Sequence, residues 1–229
     1  MKKLLLATAA GALIAGAAGA EEIKMGVSLG MTGPLESIAP PIQKGAELAM
    51  KEVSDSGKLL DGSTIVPVLA DNTCIDAAAS VAAVERLVTS EGVKGIMGGM
   101  CSGETIASLE KVGVPNGVVM ISPSATSPAL STLDDKGFFF RTSPSDARQG
   151  EVMADIVLER GIKSVAVTFT NNDYGKGLAD SFANAYKAKG GNVTVVSAHD
   201  DGMGDYSAVV AALAAAGGDA LVVVGYADQ

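Results

Sequence analysis

Tryptophan is absent from this 229-residue chain, and all aromatic residues together make up only 4% of it. Proteins that hold single-stranded nucleic acid stack bases on aromatic rings, and that material is missing. Basic residues are scarce as well: 17 Lys and Arg stand against 26 Asp and Glu, for a formal net charge of −9. Such a surface repels phosphate backbones and anionic membranes, so no nucleic acid is expected as a partner. There is one histidine, His199. A Ser-His-Asp triad would have to use it, yet it follows a different strand from the serines considered below. His199-Asp200-Asp201 reads as a solvated loop, and no metal is expected there. No H-E-x-x-H or P-loop occurs, and Gly99-Met100-Cys101-Ser102-Gly103 does not satisfy G-x-S-x-G. Gly175-Lys176-Gly177 begins like a dinucleotide turn, but Asp180 stands where the third glycine belongs. With these catalytic motifs missing, the chain does not read as an enzyme, and no cofactor is expected.

Long apolar runs are missing too, except at the start. Lys2 and Lys3 precede an apolar stretch, Leu4 to Ala18, and Ala18-Gly19-Ala20 offers small residues for cleavage. This predicts a secretory signal over residues 1–20, with Glu21 first in the mature protein. The run is shorter than a membrane-spanning helix needs. Without Lys2 and Lys3, 15 basic residues face 26 acidic ones, a net charge of about −11. Cysteine occurs only as Cys74 and Cys101. An even pair in an exported chain favours a disulfide over two buried thiols or half of a metal site.

What is present is a regular alternation. Ile23–Gly30, Thr64–Ala70, Val93–Gly98 and Val118–Ser122 read as strands. Helical spacing separates them at Ile42–Ser54, at Asp76–Ser90 with Asp76 as its cap, and at Gly103–Val112. A second series begins after Phe138–Pro144, with helices at Asp146–Arg160, Gly177–Lys189 and Tyr206–Ala216. Its strands are Ser164–Thr170, Asn192–Ser197 and Asp219–Gly225. The order implies α/β architecture with doubly wound parallel sheets. The reading is two lobes, 21–141 and 142–229, with 138–144 crossing between them. The second ends directly after an apolar strand that lacks a covering helix, and so reads as truncated.

Ligands of such sheets sit beyond the carboxyl ends of the strands. Two hydroxyl-bearing turns lie there in the first lobe, Cys101-Ser102-Gly103 and Ser122-Pro123-Ser124-Ala125-Thr126. The first opens a helix, whose free N–H groups suit an anion. Both turns converging on one carboxylate is the expected geometry. In the second lobe, Tyr174 lies between a strand and a helix, and Tyr226 follows the last strand. Glu104 and Asp173 are the nearest acids. Glu104 in a first helical turn complements the dipole, and Asp173 suits a turn or an interlobe contact.

Specific pieces carry a family resemblance. They are Met31-Thr32-Gly33-Pro34, Gly45-Ala46-Glu47-Leu48-Ala49, Asp71-Asn72-Thr73-Cys74, Cys101-Ser102, Ile121-Ser122-Pro123-Ser124-Ala125-Thr126, Phe140-Arg141-Thr142, Asp173-Tyr174-Gly175-Lys176-Gly177 and Asp205-Tyr206-Ser207. In this order the chain resembles the periplasmic solute-binding proteins of branched-chain amino-acid ABC transporters, the leucine/isoleucine/valine-binding type. The resemblance implies a type I periplasmic binding protein fold whose lobes close on one small solute, an aliphatic amino acid, for delivery to an ABC permease. It implies a periplasmic monomer. It places Ser102, the Ala125 backbone and Thr126 on the ligand carboxylate, Tyr174 and Tyr226 on the opposite side, and pairs Cys74 with Cys101. The family's aromatic pocket residue corresponds to the region Glu36-Ser37-Ile38 here, and its acid for the ligand ammonium falls beyond Gln229. The same turns serve relatives that take aromatic acids or amides, and a ligand-sensing receptor module would use the same cleft.

Overall fold

The computed structural model describes residues 19–226. The expected secretory signal therefore lies outside the described residues, Gly19 and Ala20 excepted. Two parallel sheets organise the chain. The first contains β1 (Glu22–Leu29), β2 (Thr64–Asp71), β3 (Gly95–Met97), β4 (Val119–Ser122) and β5 (Phe139–Arg141), in the order β2-β1-β3-β4-β5. The second contains β6 (Ser164–Thr170), β7 (Asn192–His199) and β8 (Ala220–Val224), in the order β7-β6-β8. Each recorded strand pair is parallel. The connecting helices are α1 (Ala39–Asp55), α2 (Ala77–Glu85), α3 (Ser102–Ser108), the single turn α4 (Val114–Asn116), α5 (Asp146–Glu159), α6 (Asp173–Ala188) and α7 (Ser207–Ala216).

Local chemistry sets most boundaries. The Asp76 carboxylate accepts from the N–H groups of Ala78 and Ala79 at 2.9 and 3.0 Å and caps α2, as expected. Helix α1 starts at Ala39, earlier than the sequence pattern indicates, because Pro40 and Pro41 sit in its first turn, where a missing N–H costs nothing. Helix α2 widens into a π turn over Arg86–Ser90 and α3 does so over Leu109–Gly113. The helical path thus reaches the ends expected from the spacing. Gly117, in the left-handed region at φ 64°, stops the path after α4.

Two segments differ from the sequence reading. Phe139–Arg141 is not merely a crossing piece but the fifth strand of the first sheet, with Phe139 opposite Met120. Phe139 joins the core while Phe140 is 55% exposed, the alternation of a strand. The passage to the second sheet is correspondingly shorter. Helix α6 begins at Asp173, a turn before the expected Gly177, with the Asn172 side chain accepting from Gly175 N–H at 3.0 Å. Its glycines reflect packing rather than a loop. A Cβ at Gly175 would lie 2.1 Å from the Thr170 carbonyl oxygen, and one at Gly177 would lie 2.8 Å from Pro128 Cδ in the first lobe.

Each sheet has its own core, with Leu87, Ile96, Leu109 and Met120 in the first and Val165, Val167, Leu178, Phe182 and Tyr186 in the second. A third cluster, Val27, Leu29, Ala39, Cys74, Met100 and Cys101, fills the carboxyl ends of β1 and β3. Tyr226, from the end of the second sheet, packs against it. The order of the first sheet reverses between β1 and β3, which opens a crevice just there.

Cys74 and Cys101 form a disulfide with Cα atoms 5.2 Å apart. It ties the loop after β2 to the turn that opens α3, and closes a sequence separation of 27. Replacing both cysteines by serine is expected to lower stability by about 3–4 kcal/mol through the lost loop constraint. Chemical denaturation of the oxidised and the Cys74→Ser/Cys101→Ser proteins measures this; coincident midpoints would contradict it.

Candidate functional site

The turn after β3 is built from residues that tolerate close backbone approach. Gly98, at φ 143°, would bring a Cβ to 2.3 Å from the Ser28 carbonyl oxygen, and Gly99 would bring one onto the Glu104 carboxylate. Three serine hydroxyls then stitch this turn to the one after β4. Ser122 donates to the Gly99 carbonyl at 2.6 Å, and Ser124 donates to the Met100 carbonyl at 2.7 Å. Ser102 Oγ accepts from the backbone N–H groups of Thr126 and Ser127 at 3.2 and 3.1 Å. The two turns expected to converge do converge, and Ser102 is their junction. Cys101, not Ser102, is the helix cap residue.

A cavity of about 270 Å³ opens beside this junction. Its walls are Leu35, Met100, Cys101, Ser102, Ser124, Thr126, Gln149, Tyr174, Gly225 and Tyr226. It thus draws on both sheets, as interlobe ligand sites do, and its size suits a small solute. Of the residues singled out from sequence, Ser102, Thr126, Tyr174 and Tyr226 are brought together here. Ala125 is not a wall: it is fully buried, and its N–H donates to Ser122 Oγ at 2.9 Å.

The tyrosines act as a pair. The Tyr174 and Tyr226 rings stack with centroids 5.2 Å apart and planes 23° from parallel. The Asn172 amide donates to Tyr226 Oη at 3.4 Å. Burial, then the charge of Asp146, raises the pKa of Tyr174, and burial raises that of Tyr226 strongly. Both are neutral hydroxyls at physiological pH. Tyr174 belongs to the first turn of α6 rather than to a loop, so its backbone is held by the helix.

Neither acid considered from sequence lines the cavity. Asp173 stands at the lobe contact, where its Oδ2 would be 3.0 Å from a Cβ at Gly103. Glu104 turns inward and is 2% exposed. Its Oε1 accepts from Met100 N–H at 2.6 Å, from Cys101 N–H at 3.0 Å and from the Asn72 amide at 3.0 Å. Its Oε2 accepts from Ser80 Oγ at 2.8 Å. Glu104 is therefore the internal brace of the first turn, beyond the dipole role expected of it. The capping-box spacing, with an acid at the third helical position, was the available sequence signal. Gln149 and Met100 were also missed as walls, having no pattern that marks them. His199 bonds the Thr168 hydroxyl through Nδ1 at 2.8 Å, and the described residues contain no group of three or more potential metal ligands.

Two parallel α/β lobes with a small, hydroxyl-lined cavity between them define the class of two-lobed solute-binding proteins. The family model described as periplasmic binding protein matches residues 22–229, and the chain belongs to that family. It is 35% identical over 230 residues to a Leu/Ile/Val-binding protein homolog of Brucella melitensis, an alignment covering 98% of this chain and 60% of that protein. A crystal structure of a leucine-binding protein from Thermotoga maritima superposes with a TM-score of 0.80 at 29% identity, over 89% of this chain and 56% of that one. The branched-chain amino acid transporter substrate-binding protein of Streptococcus pneumoniae, solved in complex with isoleucine, gives a TM-score of 0.74 at 31% identity, over 88% and 56%. The chain thus spans somewhat over half the length of these relatives.

Burial pushes the Glu104 carboxyl up to about 7, against the pull of its hydrogen bonds from Ser80, Cys101, Met100 and Thr105. In the unfolded chain it ionises near its ordinary value of 4.5. Between those two values the folded state holds a proton that the unfolded state has released. Its contribution to stability therefore falls as pH rises through that window. Glu104→Gln keeps an acceptor for the two backbone N–H groups and an N–H₂ for Ser80. Melting temperatures of both proteins across pH 4.5–7.5 are expected to show a decline in the parent that flattens in the variant; parallel curves would refute this.

Proposed function

We propose that the protein captures a small solute bearing a carboxylate, an aliphatic α-amino acid of the leucine, isoleucine and valine type, between its two lobes and hands it to an ABC permease. Capture requires no covalent chemistry. One observation carries the reading: the valence state of Ser102. A hydroxyl has two acceptor lone pairs and one donor. Thr126 N–H and Ser127 N–H occupy the acceptor side of Ser102 Oγ. Its proton is the polar capacity left over, and Ser102 is a cavity wall. The complement of an O–H donor in a largely apolar cavity is an acceptor, and a carboxylate is the strongest common one. Leu35, Met100 and the tyrosine rings suit an aliphatic side chain.

The second lobe supplies Tyr174, Tyr226 and Gln149 to the same cavity, so a guest touches both lobes only when they are together. Those contacts exist in the closed state alone, which is the differential affinity that closure needs. Thr126 holds the carboxylate side beside Ser102, and Ala125 serves through the turn whose shape it fixes. The reading also takes the protein as a monomer, exported by the residue 1–20 signal and acting in the periplasm. The Leu/Ile/Val-binding relatives support the amino-acid class.

Thermal-shift measurement with leucine, isoleucine, valine, 4-hydroxybenzoate and an aliphatic amide tests this directly. A ligand at 100 times its dissociation constant adds about 2.7 kcal/mol. The branched-chain amino acids are expected to raise the melting temperature, and the other two are not. Ser102→Ala removes a hydrogen bond to a charged group, worth roughly 1.5–3 kcal/mol. Calorimetric affinity for leucine should drop at least accordingly, and the unliganded melting temperature should fall as well, because the Thr126 and Ser127 N–H groups lose their acceptor. Unaltered affinity would reject the role of Ser102.

A further inference from the structure

Arg141 ends β5 and is not a wall of the cavity. Its partly buried guanidinium nevertheless bonds the turn that carries Thr126. Nη1 donates to the Ser127 carbonyl at 2.9 Å and to the Ala125 carbonyl at 3.3 Å, and Nη2 donates to Ser131 Oγ. Ser143 Oγ is a second, longer donor to the Ala125 carbonyl, at 3.5 Å. An arginine near a carboxylate ordinarily pairs with it through two parallel bonds. The Asp146 carboxyl is near enough to favour the charge of Arg141 against burial, yet neither of its oxygens has a hydrogen-bond partner among the described residues. The guanidinium is turned to backbone carbonyls instead. The Ala125 carbonyl and the Thr126 N–H belong to one peptide unit, and that N–H reaches Ser102 Oγ at 3.2 Å. The next peptide repeats the arrangement. The Asp146 N–H donates to the Thr126 carbonyl at 2.9 Å, and the Ser127 N–H reaches Ser102 Oγ at 3.1 Å. Both N–H groups that meet Ser102 thus come from peptides whose carbonyls are themselves held by donors. One donor is a cation and the other a neutral amide.

We propose that Arg141 is a positioning residue for solute capture: bonded to the Ala125 carbonyl, it holds the Thr126 N–H on Ser102 and so strengthens the Ser102 hydroxyl as the donor that a guest carboxylate meets. The inference rests on the reading of Ser102 as that donor and names the residue that stands behind it. A cation on a carbonyl oxygen draws electron density from the peptide and makes its N–H a stronger donor. That N–H draws density from Ser102 Oγ in turn, and the serine proton becomes the better donor. The bonds run in one direction, from guanidinium to peptide to hydroxyl, and both are in place before any guest arrives. Position is set by the same side chain. The Ser127 carbonyl precedes Pro128, so its peptide has no N–H to pass the effect on. The Arg141 bond to that carbonyl is therefore an anchor alone. With Ser131 as its further partner, the planar fork grips the turn on both sides of Thr126. Arg141 thus lends its charge to the cavity without touching the guest.

Titration calorimetry with L-leucine compares the parent protein with Arg141→Gln, Arg141→Lys, Ser102→Ala and the Ser102→Ala/Arg141→Gln double variant. Arg141→Gln is expected to weaken leucine binding by about five- to tenfold, because it removes both the charge and the fork. Arg141→Lys keeps a charge that cannot span two carbonyls, and should recover part of that loss. In the Ser102→Ala background the glutamine change should cost less than about twofold, since the relay ends at the missing oxygen. Amide proton shifts of the unliganded proteins read the relay directly. The Thr126 amide proton is expected to move upfield in Arg141→Gln. That of Ser127 should move much less, because its peptide carbonyl is held by Asp146. A merely structural role would disturb both amides alike and would add fully to Ser102→Ala. If Arg141→Gln does not fold, as judged by circular dichroism, Arg141→Lys carries the comparison with the same signs and smaller size. Equal movement of the two amides, full additivity, or unchanged leucine affinity in the folded Arg141 variants overturns the proposal while leaving the amino-acid reading standing. A parent protein that does not bind leucine refutes that reading and this inference with it.

Discussion

The site depends on one bifurcated acceptor, Ser102 Oγ, which receives backbone N–H groups from two consecutive residues of a different turn. Strands β3 and β4 deliver the two turns side by side, but parallel pairing alone leaves loops beyond the strand ends unconstrained. The Ser102 bonds, with those from Ser122 and Ser124, lock loop to loop. They use up the acceptor side of Ser102 and fix the direction of its remaining proton. A site made of loop hydroxyls gains in this way the rigidity that a site on strands has by default.

The lobes meet through small residues and flat rings. Gly103 lets the opening of α3 approach Asp173, and Gly177 lets α6 approach Pro128 and Ser127. A Cβ at Gly177 would sit 2.8 Å from Pro128 Cδ, closer than packed carbons come, and one at Gly103 would press on the Asp173 carboxylate. Where the glycines leave room, the stacked Tyr174 and Tyr226 fill it, and Tyr226 reaches the cluster at the ends of β1 and β3. Close approach at the glycines and filling by the tyrosines together give a cavity that is small and bounded on both sides.

Three acids surround the cavity and none enters it. Glu104 is consumed by the Met100 and Cys101 N–H groups of its own turn and by Asn72 and Ser80 from the loop after β2 and from α2. Asp173 is exposed at the lobe contact. Asp146 is buried at the start of α5, with its backbone N–H on the Thr126 carbonyl. All three are carboxylates, and only their surroundings separate a brace, a lobe contact and a buried helix start. The covalent tie between Cys74 and Cys101 lies beside the first of these, so brace and disulfide hold the same turn from two directions.

Alternating periodicity determined the order of elements, the parallel sheets and the carboxyl-end location of the site, because burial of one face per element imposes periods that survive in the residue string. Asp76 as a cap was legible because it rests on a residue and its near neighbours, and the convergence of the two serine turns followed from their shared place at the carboxyl ends of parallel strands. The strand at Phe139–Arg141 was harder, since three residues carry too little period to show pairing. The glycines of α6 were misread as a loop because the atoms that demand them, Thr170 O and Pro128 Cδ, lie elsewhere in the chain. Gln149 as a wall, Ala125 turned inward, Glu104 as an internal brace and Asp146 buried at the start of α5 were decided only by the tertiary structure. Hydrogen-bond satisfaction and solvent exclusion are properties of three-dimensional neighbours, and a linear sequence does not name those neighbours.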